Sequence, residues 1–155
     1  MSSLKIFLIL IILNIFLVSV NAYHCSEIKI TSENPEKTVS FNIHKTSNYT
    51  YNMSFTHYGN IKNYTTVEIY LNNHLLYTIK KSNNNTGSGN YKKSVSINIT
   101  NYLNNGENTL KMMGYNMNAL NYTPYYKLEN IYINEPIKLP VPTPALIISS
   151  LLITI

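Results

Sequence analysis

Residues 94–113, with the sequence SVSINITNYLNNGENTLKMM, decide the fold class of this chain. Val95, Ile97 and Ile99 alternate with polar residues, and a period of two places one face of an extended strand in a core and the other in water. The run Asn-Asn-Gly at residues 104–106 then favours a turn, because Asn and Gly tolerate positive φ. Alternation resumes after it, so the stretch predicts a β-hairpin within antiparallel structure.

The same alternation recurs from residue 27 to residue 133, without a helical period. Its apolar positions are Ile28 and Ile30; Val39, Phe41 and Ile43; Tyr49, Tyr51, Met53 and Phe55; Val67, Ile69 and Leu71; Leu75, Tyr77 and Ile79; and Tyr126, Leu128, Ile131 and Ile133. Eight or so short strands of this kind predict an all-β fold. We expect a single antiparallel β-sandwich, jelly-roll or Ig-like, over residues 23–135.

Several connections are also predicted. Asn72 and Asn73 lie between two alternating runs and predict a tight hairpin. Residues 57–60 read as a turn or loop, and residues 80–90, rich in Asn, Ser and Gly, as a mobile loop. The alternation slips before Ile131, which predicts a bulge near Glu129 and Asn130.

Both ends of the chain carry targeting features. Residues 1–22 contain a lysine, an apolar run and a small residue at Ala22, the pattern of a secretory signal peptide, with an uncleaved anchor as the alternative. Residues 136–144 form a proline-rich stem. Residues 145–155 form an apolar tail too short to span a bilayer alone. We therefore expect a secreted protein, or one on the extracellular face of the membrane and attached through its termini.

The composition excludes several classes of function. The net charge of +5 comes from scattered Lys without any Arg, so we expect no nucleic-acid partner. The chain has no Asp, its seven Glu form no evident pair, and its four His lack ligand spacing, so we expect no enzyme, metal site or cofactor. Cys25 is the single cysteine and either pairs between chains or stays a free thiol.

Two resemblances add to this reading. Residues 139–144, LPVPTP before an apolar tail, resemble archaeal C-terminal sorting signals of the V-P-x-x-x-P type, with a glycolipid-anchor signal as the second candidate. Residues 67–73 with residues 99–110 are similar to the Leu-Asn and Gly-x-Asn-x-Leu arrangement of galactose-binding-like jelly-roll modules. That resemblance implies a jelly-roll fold, in which Gly106 and Asn108 make a turn. It also implies kinship with sugar-binding accessory domains and archaeal surface adhesins.

Tyrosine is the residue type best suited to ligand binding in this chain. A flat exposed ring stacks on a sugar face, and asparagine amides bond sugar hydroxyls. The predicted ligand-binding residues are Tyr70, Asn72, Tyr122 and Tyr125. Tyr58, Tyr64 and Tyr91 are also expected in loops or on outward faces, whereas Tyr49, Tyr51, Tyr77 and Tyr126 are expected in the core.

N-x-Ser/Thr sequons predict N-glycosylation on an exported chain, with Asn84 in the loop as the favoured site. The sequon asparagines are Asn48, Asn52, Asn63, Asn84, Asn98 and Asn121. Taken together, the sequence predicts a non-enzymatic, adhesin-like surface module for adhesion or envelope structure. The alternative is a carbohydrate-binding module that uses exposed Tyr and Asn. The expected partner is an envelope or extracellular glycan or protein.

Overall fold

The computed structural model describes residues 22–118 and 122–134, and within these ranges it contains eight β-strands, one 3₁₀ turn and no α-helix. The strands are β1 (Tyr23–Thr31), β2 (Glu36–Ile43), β3 (Asn52–Asn60), β4 (Thr66–Leu71), β5 (His74–Lys80), β6 (Lys93–Asn98), β7 (Gly106–Tyr115) and β8 (Tyr125–Ile133). The 3₁₀ turn is Lys81–Asn83. The predicted all-β class is confirmed. Among these residues there is no helix of the length and apolarity needed to cross a membrane.

Two four-stranded antiparallel sheets form a β-sandwich. One sheet has the order β1-β8-β3-β6 and the other has the order β2-β7-β4-β5. Consecutive strands alternate between the sheets except at the β4–β5 hairpin, which is the strand order of an eight-stranded jelly roll. The apolar residues of both sheets meet in one core, with Ile30, Met53, Ile69, Leu110 and Leu128 fully buried.

The sandwich has two ends, which differ in what they carry. Tyr23 pairs with Ile133 at one end, here called the terminal end. Thr31 pairs with Tyr125 at the opposite end, here called the distal end. The first and last strands lie side by side, so both chain ends leave the sandwich from the terminal end. The predicted leader, stem and tail lie outside the described residues.

The predicted hairpin at residues 94–113 is wrong. Its two strands belong to different sheets, since β6 pairs with β3 whereas β7 pairs with β2 and β4. The connection, residues 99–105, is an arch that crosses between the sheets, and its apolar Ile99 and Leu103 are buried in the core. Alternation reports which face of a strand is buried, but it does not report which sheet the strand joins.

Two asparagines hold this arch to the neighbouring hairpin. Asn108 is 1% exposed, and its amide donates to the carbonyl oxygens of Asn104 and Gly106 at 3.0 and 2.9 Å. Its side-chain oxygen accepts from the backbone N–H of Asn104 and from the Asn72 amide, each at 2.7 Å. The Asn72 amide also donates to the Tyr102 carbonyl oxygen at 2.8 Å. The Leu-Asn and Gly-x-Asn-x-Leu pattern of the sequence is therefore a structural clasp.

Two further expectations are wrong. Residues 57–60 continue β3 as a strand, in which His57 and Gly59 face inward; a Cβ on Gly59 would lie 2.4 Å from the Tyr126 ring. Tyr49, expected in the core, is 38% exposed, because the chain turns at Asn48 with a φ of 63° before β3 begins. Tyr58 lies on the outward face of its sheet as predicted, but it is only 8% exposed because charged side chains cover it.

Other local predictions are confirmed. Asn72 and Asn73, with φ of 49° and 67°, form the β4–β5 turn. Phe55 of β3 lies opposite two residues of β8, one of which is Asn130 with a φ of 51°. The predicted bulge is therefore present. Gly106, with a φ of 99°, provides the left-handed conformation that ends the arch.

Candidate ligand-binding cleft

The four predicted ligand-binding residues do not converge. Tyr70 lies on the outer face of its sheet, where its hydroxyl donates to Glu68 and its ring lies 5.2 Å from the Lys111 ammonium. Asn72 is at the terminal end, and its amide is taken up by the clasp. Tyr125 is at the distal end on the outer face of the other sheet, with Lys29 over its ring at 5.3 Å. Tyr122 alone among the four lines a cleft at the distal end.

This distal cleft consists of two adjoining depressions. The larger, about 400 Å³, is lined by Lys62, Asn63, Tyr64, Lys81 and Tyr122. The smaller, about 190 Å³, is lined by residues 86–88 and by Tyr91. Both share Asn60, Ile61 and Lys81. The larger depression falls within the range of about 300–1,000 Å³ that is usual for small-molecule sites.

The larger depression combines flat rings with cations. Tyr64 is 52% exposed in the β3–β4 loop, and the half-buried Tyr122 lies in the β7–β8 connection. The Lys62 ammonium lies 4.9 Å from the centre of the Tyr122 ring, which fixes the ring and the charge relative to each other. Thr65 packs this corner, because its hydroxyl donates to the Asn116 carbonyl oxygen at 3.1 Å.

The β5–β6 loop, predicted to be mobile, contributes most of the smaller depression. Hydrogen bonds attach this loop to the sandwich at two points. Asn85 accepts from the Lys80 backbone N–H at 3.0 Å and donates to the Thr78 carbonyl oxygen at 2.8 Å. Gly87 is buried, and its carbonyl oxygen accepts from the Gly59 N–H at 3.1 Å. A Cβ on Gly87 would lie 2.3 Å from the His57 carbonyl oxygen, so only glycine fits this close approach.

A buried polar cluster, here called the His57 clamp, holds this loop from below. The Gly87 N–H donates to the Tyr126 hydroxyl oxygen at 2.9 Å, and that hydroxyl lies 2.9 Å from Nδ1 of His57. The direction of this hydrogen bond follows the tautomer of the His57 imidazole, because a hydroxyl that accepts from Gly87 can still donate or accept once more. Nε2 is buried without a hydrogen-bond partner, and Tyr77 lies edge-on to the ring.

Burial shifts the titration of both side chains in the clamp. Loss of solvent, with a smaller contribution from the Lys93 charge, lowers the pKa of His57 from 6.5 to about 4. Burial likewise raises the pKa of Tyr126 to about 12, against the opposing effect of the Gly87 hydrogen bond. Both side chains are therefore neutral near pH 7, and the clamp is a hydrogen-bonded structural element.

A charged network lies outside the cleft, on the outer face of the β1-β8-β3-β6 sheet. Glu129 pairs with Lys127 at 2.8 Å and with Lys92 at 2.7 Å, and it accepts from the Tyr58 hydroxyl at 2.5 Å. These partners, Lys127 foremost, lower the pKa of Glu129 to about 2. The network explains why Tyr58 is covered. Within the described ranges, no group of three or more His, Cys, Asp or Glu is placed to hold a metal.

Two further depressions, of about 410 and 470 Å³, lie at the terminal end. They share Tyr49 and are otherwise lined mainly by hydroxyl and amide side chains. Their linings include the sequon residues Asn48 and Asn52, so a sugar attached at either position would lie against them. The distal cleft is the stronger candidate because it has several tyrosines and two lysines, whereas the lysine at the terminal end, Lys45, donates to the Thr100 and Leu103 carbonyl oxygens at 2.6 and 3.1 Å.

Sequence reasoning placed Tyr122 and Tyr64 outside the core, but it missed the lysines of the cleft. Lys62 and Lys81 are 19 residues apart and looked like scattered surface charge. The strand order brings their loops together, and no spacing rule gives that order. The signal that was available is the aromatic pair itself, since Tyr64 and Tyr122 are each the middle residue of an Asn-Tyr-Thr sequon.

Comparison with known proteins gives one clear relative. An uncharacterized protein of Methanocaldococcus jannaschii, MJ1070, is 49% identical over 148 residues, which is 95% of this chain and 93% of that protein. No protein-family model matches the chain. Dimeric latent PorU from Porphyromonas gingivalis gives a TM-score of 0.43 at 10% identity over 79% of this chain, and the match spans 15% of the PorU chain. A likeness at that level carries no argument about function.

Proposed function

This chain belongs to the same family as MJ1070 of Methanocaldococcus jannaschii, and we propose that it is an exported, non-enzymatic β-sandwich of the cell surface, used in adhesion or envelope structure. The observation that carries the proposal is the pairing of Tyr23 with Ile133 at the terminal end. A membrane attachment through either flanking segment would leave the distal cleft facing away from the membrane. That geometry suits a surface module that meets an external partner.

The flanking segments are part of the family. The alignment with MJ1070 covers 148 residues, more than the described sandwich, so the similarity continues into sequence beyond it. In the proposal, the leader directs export, the proline-rich stem spaces the sandwich from the envelope, and the tail is the sorting or anchoring signal. The resemblance of residues 139–144 to archaeal sorting signals supports this assignment.

The placement of the carboxylates supports a non-enzymatic role. Glu129 is held by two lysines, Glu27 pairs with Lys127 at 2.9 Å, and Glu68 accepts from Tyr70. A glycoside hydrolase needs two carboxyl groups facing one substrate position. These three side chains instead serve ion pairs and hydrogen bonds on the outer faces of the sheets.

Some asparagines form hydrogen bonds that hold the fold together, and others are exposed in glycosylation sequons. Asn72 and Asn108 form the clasp and lie outside sequons. The sequon asparagines in the described ranges are all exposed: Asn48, Asn52, Asn63, Asn84 and Asn98. Asn121 lies outside those ranges. Exposure of the sequon residues is what glycosylation of an exported protein requires.

We expect mass spectrometry of the native protein to find glycans at Asn48 and Asn84 in preference to Asn63 and Asn98. The favoured pair lies in loops with positive φ. The threonines of the other two sequons have hydroxyls that are hydrogen-bonded within the fold. The same spectra should show a mature chain that begins at Tyr23. An unmodified chain that retains Met1 and is recovered from the cytosol would contradict the export proposal.

A second candidate function, carbohydrate binding, is favoured by the distal cleft. Its rings, amides and ammonium groups are the side-chain types that bind sugars, and a clamped loop forms one wall. Isothermal titration with a panel of oligosaccharides tests it. The proposal requires binding by the full chain and loss of binding in Tyr122→Ala, with Tyr70→Ala, on the outer face of its sheet, as the matched control.

A further inference from the structure

We infer that the distal cleft binds an anionic saccharide, one that carries carboxylate or sulfate groups, through Lys62 and Lys81. This inference rests on the carbohydrate-binding function proposed above and specifies its ligand class. It comes from the charges of the lining residues, which are far apart in the sequence and lie together in the fold.

The described lining of the cleft carries a net positive charge from two lysines. Lys62 and Lys81 both line the larger depression, and none of the described lining residues is acidic. Lys92 and Lys127, by contrast, are committed to Glu129 on the outer face. Within the described ranges neither cleft lysine forms a salt bridge, and the contact of the Lys62 ammonium with the Tyr122 ring leaves its charge unneutralised.

The same lining offers flat apolar surface for a sugar ring. Tyr64 is 52% exposed and lines the larger depression, and Tyr91 is 64% exposed and lines the smaller one. The Lys62 ammonium lies over the Tyr122 ring, so a saccharide in contact with this tyrosine would have its acidic substituent near that ammonium. The exposed Asn60 and Asn63 add amide donors and acceptors for hydroxyl groups.

The cleft is held in shape before any ligand arrives. Lys81 follows β5 directly, at the start of the loop that Asn85 and Gly87 fasten to the sandwich. The His57 clamp supports that loop from the core. Because this wall is fixed before binding, less conformational entropy is lost when a ligand binds.

A saccharide fits this site better than a nucleic acid. Lysines with tyrosines also occur in single-strand binding grooves, but those grooves follow an extended backbone. Here the positive charge is confined to two lysines around about 400 Å³, and the chain has no Arg for phosphate forks. A short acidic saccharide matches both the size and the charge of the cleft.

The test is isothermal titration of the full chain, produced in a host that leaves Asn63 unmodified. The probes are uronic-acid and sulfated oligosaccharides, set against neutral oligosaccharides of equal length. We expect the acidic probes to bind about tenfold more tightly at low salt, with the difference shrinking as salt rises. Lys81→Ala should remove most of that difference. Lys37→Ala, which deletes an exposed lysine on β2, should preserve it.

The outcomes separate this inference from the function on which it rests. Binding of no saccharide would overturn both. Equal binding of neutral and acidic probes, unaffected by Lys81→Ala but lost in Tyr122→Ala, would overturn the anionic class and leave carbohydrate binding in place. Equal affinity for inorganic sulfate alone, or for a single-stranded oligonucleotide, would also overturn it. Unchanged thermal midpoints in the variants would show that they fold.

Discussion

Replacing Asn108 with alanine is expected to lower the free energy of unfolding by about 3 to 4 kcal/mol. The side chain is 1% exposed and takes part in four hydrogen bonds, two as donor and two as acceptor. Alanine would leave the partly buried hydrogen-bonding groups of Asn104, Gly106 and Asn72 without this partner. Each of the four hydrogen bonds contributes about 0.5 to 1.5 kcal/mol net.

Asn108→Asp separates the loss of the donated hydrogen bonds from the loss of the accepted ones. Aspartate keeps the acceptor for Asn72 and Asn104 but loses both donors, and it aims a carboxylate at two carbonyl oxygens. We expect it to be as damaging as alanine at pH 7, and less so near pH 4, where the acid regains a donor. Urea unfolding measures both variants. Asn101→Ala, at an exposed position in the same arch, is the control, and a loss at Asn108 no larger than the control's would contradict the clasp.

Acidification from pH 7 to pH 4.5 is expected to remove about 2 kcal/mol of stability through His57 alone. The folded state keeps this histidine neutral down to its pKa of about 4, whereas the unfolded chain takes up the proton near pH 6.5. The unfolded state therefore binds more protons in this window, and the stability falls as the pH falls. The contribution of Glu129 is lost in a different window, below pH 4.5 and towards 2.

His57→Gln provides the test, because glutamine does not titrate and still offers an acceptor to Tyr126. We expect the variant to be less stable than the parent at pH 7 and nearly flat in stability between pH 7 and 4.5. His74→Gln removes an exposed histidine at the terminal end and should keep the parental slope. Urea titrations at several pH values measure all three proteins. A parental slope in His57→Gln would show that another group is responsible.

The all-β fold class could be predicted from the alternation of apolar and polar side chains, but the pairing of the strands could not. Val95 and Ile97 were correctly assigned to a strand, yet their strand pairs with β3 and not with the next strand in sequence. Strand order depends on long-range packing of buried residues such as Ile99 and Leu103, which local alternation does not encode. The β4–β5 hairpin was predictable because two Asn residues with positive φ define it locally.

The candidate site was predictable only in part, for a similar reason. Exposed tyrosine at Tyr122 can be inferred from its loop, but its partners Lys62 and Lys81 come from two other loops that meet at the distal end. Asn72 was predicted as a ligand-binding residue, and the structure shows its amide hydrogen-bonded within the clasp, a use of the amide that the sequence does not reveal. Residues 57–60 were predicted as a turn or loop, whereas they belong to β3 and Gly59 makes room there for Tyr126.

Labelling of lysines in intact cells with a membrane-impermeant amine reagent tests the central claim most directly. The claim is that the sandwich lies outside the membrane with its distal end exposed. In cells that produce the full chain, the account predicts that Lys62 and Lys81 are modified before lysis, to the extent seen in the purified protein. Modification of these lysines only after lysis would contradict it.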